Sequence, residues 1–268
     1  MDLQLKGRRA LVTGSSSGIG TDIAQMLIAE GCAVVVHGRN RERTEAAATS
    51  MKAAGIALGD LSTDEGVDTV HQAAVSALGG PIEILVNNAG GSVSDSSTRP
   101  VLDVSIDEWE ANYRGNTLAA VRLAKRTVPD MVAAKWGRLI QISSAVALQP
   151  NYLGPDYSGA KAALNNFTVT LAGSLHSSGV TVNTVTPGII MTNGLIAFAQ
   201  NLYGDPEMSV EQITARMVAD KIFDLPPAGR LGIGDDVALA VCLLASPRSG
   251  YVTGSNYRVD GGQVRAVL

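Results

Sequence analysis

The chain has 268 residues, of which 46% are hydrophobic and 17% are charged, and its formal net charge is −4. This length and composition are typical of one α/β domain with a large core. Basic residues are scattered along an acidic chain, which argues against a nucleic-acid or anionic-membrane partner. No apolar run approaches the ~20 residues that a membrane-spanning helix needs.

The two cysteines, Cys32 and Cys242, lie far apart in apolar stretches. This placement indicates buried small side chains in a reduced compartment, not a disulfide or a metal site. The first residues, MDLQLKGRRALVTG, contain no apolar region followed by a cleavage site. A signal peptide is therefore not predicted, and a cytoplasmic location is expected.

Short β-branched runs alternate with longer helical stretches along the chain. Strands are predicted, in chain order, at 8–13, 32–37, 56–59, 82–87, 138–143, 180–185 and 256–262. Helices are predicted at 19–31, 41–55, 62–79, 105–135, 157–176 and 235–246. Strands that are apolar on both faces and alternate with helices predict a parallel sheet covered on both sides. The fold class is therefore α/β, with a doubly wound parallel sheet in a single domain over 1–268.

The segment 193–229 interrupts this alternation. It contains two helical stretches and runs into DLPPAGR (224–230), where a strand would otherwise be expected. The segment is predicted to be an insertion that folds over the sheet as a helical substrate lid, with Gly194 and Gly204 as candidate hinges.

A glycine-rich turn, TGSSSGIG (13–20), separates the first strand from the first helix. Gly14, Gly18 and Gly20 allow a tight turn and close approach of a ligand, and the following helix N-terminus favours a diphosphate. The spacing G-x-x-x-G-x-G differs from the commoner dinucleotide-binding pattern. Its position after the first strand of an α/β fold nevertheless predicts a Rossmann-type dinucleotide site.

The end of the second strand sets the expected ribose preference. Sites for NAD usually carry an acidic residue there, which accepts from the ribose 2′-hydroxyl. In VVVHGRNRER that position is Gly38, and Arg39 follows it. A guanidinium without a competing carboxylate favours a 2′-phosphate, hence NADP(H), while NAD(H) stays possible. Arg41 and Arg43 are more simply explained as solvated charges at a helix start.

The stretch YSGAK places Tyr157 and Lys161 four residues apart, on one face of a helix. A free tyrosine has a pKa of ~10, and lowering it by ~3 units takes about 4 kcal/mol. One cation at ~4 Å supplies about that amount at an effective dielectric of ~20. Lys161 is therefore predicted to make Tyr157 a usable acid and base near neutral pH.

Together these motifs resemble the short-chain dehydrogenase/reductase family over nearly the whole chain. TGSSSGIG matches the family's cofactor turn, and NNAG (87–90) matches its next motif. Ser144 lies 13 residues before Tyr157, a spacing found in many members, and PGIIMT (187–192) follows the sixth strand. The C-terminal stretch from GRLGIGDD to RVDGG is also similar to the family's.

The resemblance implies roles for particular residues. The catalytic residues would be Asn116, Ser144, Tyr157 and Lys161. The cofactor would be bound by Gly14, Ser16, Ser17, Gly18, Ile19, Gly20, Arg39, Asp60, Leu61, Asn88, Ala89, Gly90, Tyr157, Lys161, Pro187, Gly188, Ile190 and Thr192. No metal is implied. The long helix 105–135, the YSGAK helix and the last strand would form the contacts of a homodimer or homotetramer.

Some positions depart from the family's common pattern. Ser17 stands where many NADP-dependent members carry a basic residue, so the preference for NADP(H) depends mainly on Arg39. Asp156 precedes Tyr157, where smaller or neutral residues are frequent, and it is expected to face solvent or to cap its helix. Without the resemblance, Asp60 reads as a helix cap and Asn87 as a tie between strand ends.

The expected activity is hydride transfer between NADP(H) and a carbonyl or secondary alcohol, with Tyr157 as the general acid and base. The alternatives are reduction of a 3-oxoacyl thioester and, in another class, a dinucleotide-binding regulator without turnover. Apolar residues of the lid, together with Tyr152, favour a small hydrophobic cyclic or aryl ketone. Those lid residues are Leu195, Ile196, Phe198, Val210, Ile213, Met217 and Val218. For most of them, packing of the lid is the simpler role.

Overall fold

The computed structural model describes residues 1–92, 99–150 and 154–266. The described residues form one seven-stranded sheet in the order β3-β2-β1-β4-β5-β6-β7, in which every neighbouring pair is parallel. The strands are β1 (Arg9–Val12), β2 (Ala33–Gly38), β3 (Gly55–Leu58), β4 (Ile84–Asn87), β5 (Gly137–Ile142), β6 (Val180–Pro187) and β7 (Asn256–Val259). The predicted doubly wound α/β fold is confirmed.

Helices connect the strands and cover both faces of the sheet. The α-helices are α1 (Ile19–Ala29), α2 (Arg41–Met51), α3 (Asp64–Leu78), α4 (Ile106–Asn112), α5 (Ala119–Ala133), α6 (Pro155–Ser174), α7 (Asn193–Tyr203), α8 (Val210–Ala219) and α9 (Gly234–Ala245). Among the described residues, no helix is long and apolar enough to cross a membrane.

Two apolar layers account for most of the core, one on each face of the sheet. On one face, α1 and α9 pack against alternate strand residues such as Val12, Val34 and Ile84. On the other, α3 and α5 pack against the intervening strand residues, and α6 adds Phe167 and Leu171. This alternation explains why the strands are apolar on both faces. Both cysteines are free and buried in the first layer, as the sequence predicted.

The chain reverses its direction across the sheet next to β1. It passes from β1 outward to β2 and β3 and then returns to β4 on the other side of β1. Loops at the carboxyl ends of β1 and β4 therefore diverge and open a crevice, which is where open α/β sheets bind their ligands. The fold thus positions the glycine turn beside the loops that follow β2 and β4.

The helix predicted over 105–135 is continuous in space but not uniform. It begins with the predicted capping box, in which Ser105 and Glu108 bond each other's backbone amides. Its middle, Tyr113–Leu118, is π-helical and separates α4 from α5. An extra residue per turn rotates the side chains that follow it, and such segments are frequent at functional sites. Sequence periodicity gave no sign of this change of pitch.

The insertion at 193–229 contains α7 and α8, joined through Gly204, which ends α7 in the left-handed conformation. Ala199, Ile213 and Met217 are buried between the two helices, and Leu195 and Ile196 pack against them. The apolar residues predicted at helical spacing therefore hold α7 and α8 together. Phe198 and Val210 are instead exposed, by 52% and 40%.

Candidate active site

A cleft of about 800 Å³ lies at the carboxyl ends of the strands. It brings together most of the site residues named from the sequence. Those that line it are Gly14, Ser16, Ser17, Ile19, Arg39, Asp60, Leu61, Asn88, Ala89, Gly90, Ser144, Tyr157, Lys161, Pro187, Gly188 and Thr192. We call the region of residues 13–20 and Arg39 the phosphate end, and the region of Asn116, Ser144, Tyr157 and Lys161 the proton-transfer end.

The glycine turn leaves no room for side chains at two of its three glycines. Gly14 has a φ of 64°, and a Cβ atom there would lie 2.9 Å from the Cα of Ala89. A Cβ on Gly20 would lie 2.4 Å from the carbonyl oxygen of Gly14 and 2.5 Å from Nδ2 of Asn88. That Asn88 amide donates to the carbonyls of Thr13 and Gly14, and so ties the turn to the loop after β4.

The helix that follows the turn fits an anionic ligand. Gly18 is the N-cap of α1. No side chain among the described residues caps the first backbone N–H groups of this helix. Uncapped first-turn N–H groups at a helix N-terminus are suited to bind a phosphate. Gly18 and Gly20 shape this site without lining the cleft themselves.

His37 organises the phosphate end in a way that the sequence analysis missed. Its ring Nδ1 accepts a hydrogen bond of 2.9 Å from the Gly14 amide, and Nε2 lies 3.2 Å from the Gly59 carbonyl. This pair of contacts requires the neutral ring with its proton on Nε2. The pKa of His37 is lowered to about 4, mainly by burial and also by nearby Arg39, against the bond to Gly59 and the charge of Asp60. The imidazole thus links the ends of β1, β2 and β3.

The ribose-recognition position is closed to an acidic side chain. A Cβ on Gly38 would lie 2.3 Å from Oγ1 of Thr44 and 2.7 Å from Oγ of Ser16. Arg43 lines the cleft together with Arg39, so it is more than the solvated charge that the sequence suggested. Arg41 does pair on the surface with Glu45.

Asp60 lines the cleft and is not the cap of α3. Its carboxylate accepts from the Ser62 amide, and this bond lowers its pKa. Thr63 is the residue that caps α3, through its bond to the Gly66 amide. The helix-cap role that the sequence offered for Asp60 is therefore wrong.

Tyr157 and Lys161 lie in the first two turns of α6, and both line the cleft. Burial raises the pKa of Tyr157, and a hydrogen bond with Ser144 opposes that rise. Burial lowers the pKa of Lys161 to about 8. Its Nζ donates to the Ile142 carbonyl at 2.9 Å and lies 5.7 Å from the centre of the Tyr157 ring. The sequence predicts that Lys161 lowers the pKa of Tyr157 from a distance of ~4 Å, whereas in the structure burial raises that pKa and Ser144 opposes the rise.

Asn116 lies in the π-helical segment and is buried behind the loop after β4. Its Oδ1 accepts from the Gly91 amide at 2.9 Å, and its Nδ2 donates to the Gly91 carbonyl at 3.0 Å. Nδ2 also donates to the backbone carbonyl of Asn112, 3.0 Å away, and lies 3.3 Å from the Asn112 side-chain oxygen. The Asn116 amide is therefore held firmly at the edge of the proton-transfer end.

The expectation that Asp156 faces solvent or caps its helix is wrong. The residue is fully buried, and its Oδ2 accepts from Nδ2 of Asn112 at 2.5 Å. Gly154 is the N-cap of α6, and no described side chain makes a cap hydrogen bond there. The carboxylate instead faces inward and contacts Asn112 at the end of α4.

The remaining predicted positions differ in how they meet the cleft. Thr192 lines it and caps α7 by accepting from the Leu195 amide at 3.2 Å. Ile190 does not line it, because its side chain is buried and its backbone forms an isolated bridge with Gly232. The predicted contact of the Ile190 backbone with the cofactor stays a prediction. Tyr152 lies outside the described residues.

Comparisons with known proteins agree with this site and fold. The sequence profile of the short chain dehydrogenase family matches residues 8–201. An uncharacterized oxidoreductase of Bacillus subtilis, YvaG, is 34% identical over 276 residues, which cover 100% of both chains. The 3-oxoacyl-[acyl-carrier-protein] reductase FabG of Vibrio cholerae is 34% identical over 97% of this chain and 98% of its own.

A solved structure is similar over its full length. The L-sorbose reductase of Gluconobacter frateurii, complexed with NADPH and L-sorbose, has a TM-score of 0.90 and 33% identity, with 100% of both chains covered. The fold and the cleft define a Rossmann-type oxidoreductase for a nicotinamide dinucleotide. The chain belongs to the short-chain dehydrogenase family, and it is an enzyme of that family.

Proposed function

We propose that this oxidoreductase is an NADP(H)-dependent reductase of small carbonyl compounds, which also oxidises the corresponding secondary alcohols. The observation that carries the proposal is that Ser144, Tyr157 and Lys161 line the same cleft as the glycine turn and Arg39. When bound, the dinucleotide supplies or accepts the hydride. The protein's own residues bind, orient and exchange a proton.

The preference for NADP(H) is supported by charge and by space. Arg39 and Arg43 line the cleft, and two guanidinium groups suit the dianionic 2′-phosphate. Thr44 and Ser16 fill the space beside Gly38. An acidic side chain at position 38, which would favour NAD, therefore does not fit unless these neighbours move. Uncapped amides at the start of α1 would bind the diphosphate.

The proton-transfer end suits reduction near neutral pH. Because burial raises the pKa of Tyr157, its phenol stays protonated and can donate to the carbonyl oxygen. Ser144, which lines the cleft beside the phenol, would donate a second hydrogen bond to the carbonyl oxygen as its negative charge develops. Lys161 has three N–H donors, and one of them holds the Ile142 carbonyl. The others would bind the nicotinamide ribose and, through a water held by Asn116, return the proton.

The substrate class shifts from the one that the sequence favoured. The lid residues Ile213 and Met217 are committed to packing between α7 and α8, so they do not provide an apolar pocket wall. Polar side chains such as Ser92, Ser143 and Arg114 do line the cleft. These contacts favour a small polar ketone, and the similar L-sorbose reductase was solved with a ketose. A 3-oxoacyl thioester is the second candidate, since FabG is also a relative.

A substrate panel tests the proposal. Initial rates with NADPH and with NADH are measured for L-sorbose, cyclohexanone and acetoacetyl-CoA. We expect turnover with NADPH and the highest kcat/KM for the polar ketone. Equal rates with the two cofactors contradict the cofactor assignment. A strong preference for cyclohexanone supports the original hydrophobic-ketone hypothesis, and one for the thioester supports the second candidate.

We also propose that the enzyme is a homo-oligomer. Large apolar side chains are exposed on the surfaces that the family resemblance assigns to subunit contacts: Leu118 after α4, Val169 on α6 and Tyr257 on the edge strand β7. Burial of such residues in an interface removes apolar area from water. Light scattering at micromolar concentration is expected to give a dimer or tetramer, and a monomer contradicts the proposal.

A further inference from the structure

A buried chain of polar side chains runs from Asp156 to Asn116. Oδ2 of Asp156 accepts from Nδ2 of Asn112 at 2.5 Å. The other end of that amide, Oδ1 of Asn112, lies 3.3 Å from Nδ2 of Asn116. All three residues are at most 1% exposed. They lie on three different elements, the first turn of α6, the end of α4 and the π-helical segment.

The donors and acceptors in this series of side chains follow one order, which the carboxylate of Asp156 sets. A side-chain amide has a donor end and an acceptor end, whereas an ionised carboxylate only accepts. The Asp156 carboxylate therefore favours the rotamer of Asn112 that presents Nδ2 to it. Oδ1 of Asn112 then lies 3.3 Å from Nδ2 of Asn116, and adds to the backbone contacts with Gly91 and Asn112 that hold the Asn116 amide in this orientation. In this orientation Oδ1 of Asn116 accepts from the Gly91 amide.

The orientation of Asn116 matters because of what lies beside its oxygen. An ideal Cβ position on Gly90 is 2.4 Å from Oδ1 of Asn116 and 3.4 Å from Nζ of Lys161. The amide oxygen and the ammonium thus border the same small volume. An acceptor there can hold the water that exchanges a proton with Lys161, whereas an amide turned by 180° would offer an N–H to that position.

We propose that Asp156 is a positioning residue, which fixes the amide orientation of Asn112 and, through it, reinforces that of Asn116. The inference depends on the proposed function, because it assumes that Asn116 takes part in proton return to Lys161. Asp156 does not act on the carbonyl itself. Replacing Asp156 should therefore lower kcat and leave the binding of NADPH and of the carbonyl substrate unchanged.

Single substitutions test the two contacts. Asp156→Asn places two amides against each other, so neither orientation of Asn112 is enforced. We expect kcat to fall about ten- to a hundred-fold, the range for a misplaced catalytic group, while the Kd of NADPH and the KM of the carbonyl stay within about two-fold. Asn112→Asp puts two carboxylates in contact, and like charges there disfavour the fold. We expect a larger loss of activity and a lower melting temperature.

The swapped double variant, Asp156→Asn with Asn112→Asp, provides the sharpest test. A carboxylate at position 112 accepts from Asn at 156 and from Nδ2 of Asn116, so the orientation of Asn116 is restored. We expect kcat within about three-fold of the wild type, a coupling that contacting residues can show. A double variant no better than the worse single variant overturns the proposal, because it means that the sites contribute only packing.

Two further variants separate this inference from the proposed function. Asn116→Ala should lower kcat, and adding Asp156→Asn to it should change kcat by less than about two-fold if Asp156 acts through Asn116. Full activity of Asn116→Ala refutes the proposed proton relay. Loss of activity in Asn116→Ala with full activity in Asp156→Asn refutes the inference alone. Asp107→Asn, which removes an exposed carboxylate from the first turn of α4, is the matched control and should behave as wild type.

Discussion

At the phosphate end of the cleft, two glycines and an uncapped helix start shape the site, whereas the proton-transfer end depends on four polar side chains. The phosphate end comes from Arg39 and one short stretch, 13–20, in which Gly14 and Gly20 leave no room for Cβ atoms and the Gly14 amide is held by His37. The proton-transfer end gathers side chains from the π-helical segment, the loop after β5 and α6. We infer that the first end tolerates few changes of shape and the second few changes of chemistry.

The largest expected effect belongs to the proton-transfer end. Tyr157→Phe keeps the ring and removes the proton donor, so we expect kcat to fall by about 10²–10⁴-fold, the usual contribution of a general acid. The Kd of NADPH should change by less than about two-fold, because the phosphate end is untouched. Stopped-flow turnover and fluorescence titration measure the two quantities. Substantial remaining activity shows that another group is the acid.

Charge at the phosphate end gives the next effect. Arg39→Ala removes one guanidinium from the cleft, and we expect NADPH binding to weaken by about 1.5–3 kcal/mol, the value of a charged hydrogen bond. NADH binding should hardly change, since it lacks the 2′-phosphate. Arg41→Ala, which removes a guanidinium paired with Glu45 on the surface, is the matched control. Equal losses for both cofactors contradict the assignment.

Shape at the phosphate end is tested by two glycines of the same turn. Gly20→Ala would place a Cβ 2.4 Å from the Gly14 carbonyl, so the backbone must move, and we expect a loss of about 1–3 kcal/mol in unfolding free energy with weaker NADPH binding. Gly18→Ala meets no described atom within 4 Å. Its φ of 60° costs about 1 kcal/mol of strain. Chemical denaturation that ranks Gly18→Ala as the worse variant contradicts the close approach at Gly20.

The smallest effect is the pH dependence that His37 contributes. Because the folded pKa, about 4, lies below the ordinary value of ~6.5, the unfolded chain binds a proton more readily at mildly acidic pH. This contribution to stability is complete above pH ~6.5 and is lost as the pH falls toward 4. Between pH 7 and 5 we expect it to change the unfolding free energy by about 1–2 kcal/mol.

Denaturation at several pH values checks this slope. His37→Asn keeps an acceptor for the Gly14 amide but does not titrate, so its slope should be smaller than that of the wild type. His71, whose pKa burial also lowers, contributes to the remaining slope in both proteins. An unchanged slope in His37→Asn contradicts the neutral, buried imidazole.

The hydrophobic pattern of the sequence and the positions of its turn residues were sufficient to predict every strand of the described sheet, with ends shifted by a few residues. Strand patterns depend on alternation within a few neighbouring residues, and glycine turns depend on local φ values, so both are visible in a short window. The same holds for the capping box of Ser105 and Glu108. The positions that line the phosphate end could be named for this reason.

The tertiary structure alone decided what depends on distant residues. His37 reads as one more residue of a buried strand until Gly14 and Gly59 are brought to its two ring nitrogens. Asp156 reads as a surface charge until Asn112, 44 residues earlier, is packed against it. The apolar stripe of the lid has the same sequence pattern whether it faces a ligand or another helix. Only the tertiary structure shows that Ile213 and Met217 pack against α7 and do not face the cleft. Hydrogen bonds and burial are pairwise properties in space, so a pattern along one chain segment cannot specify the partner.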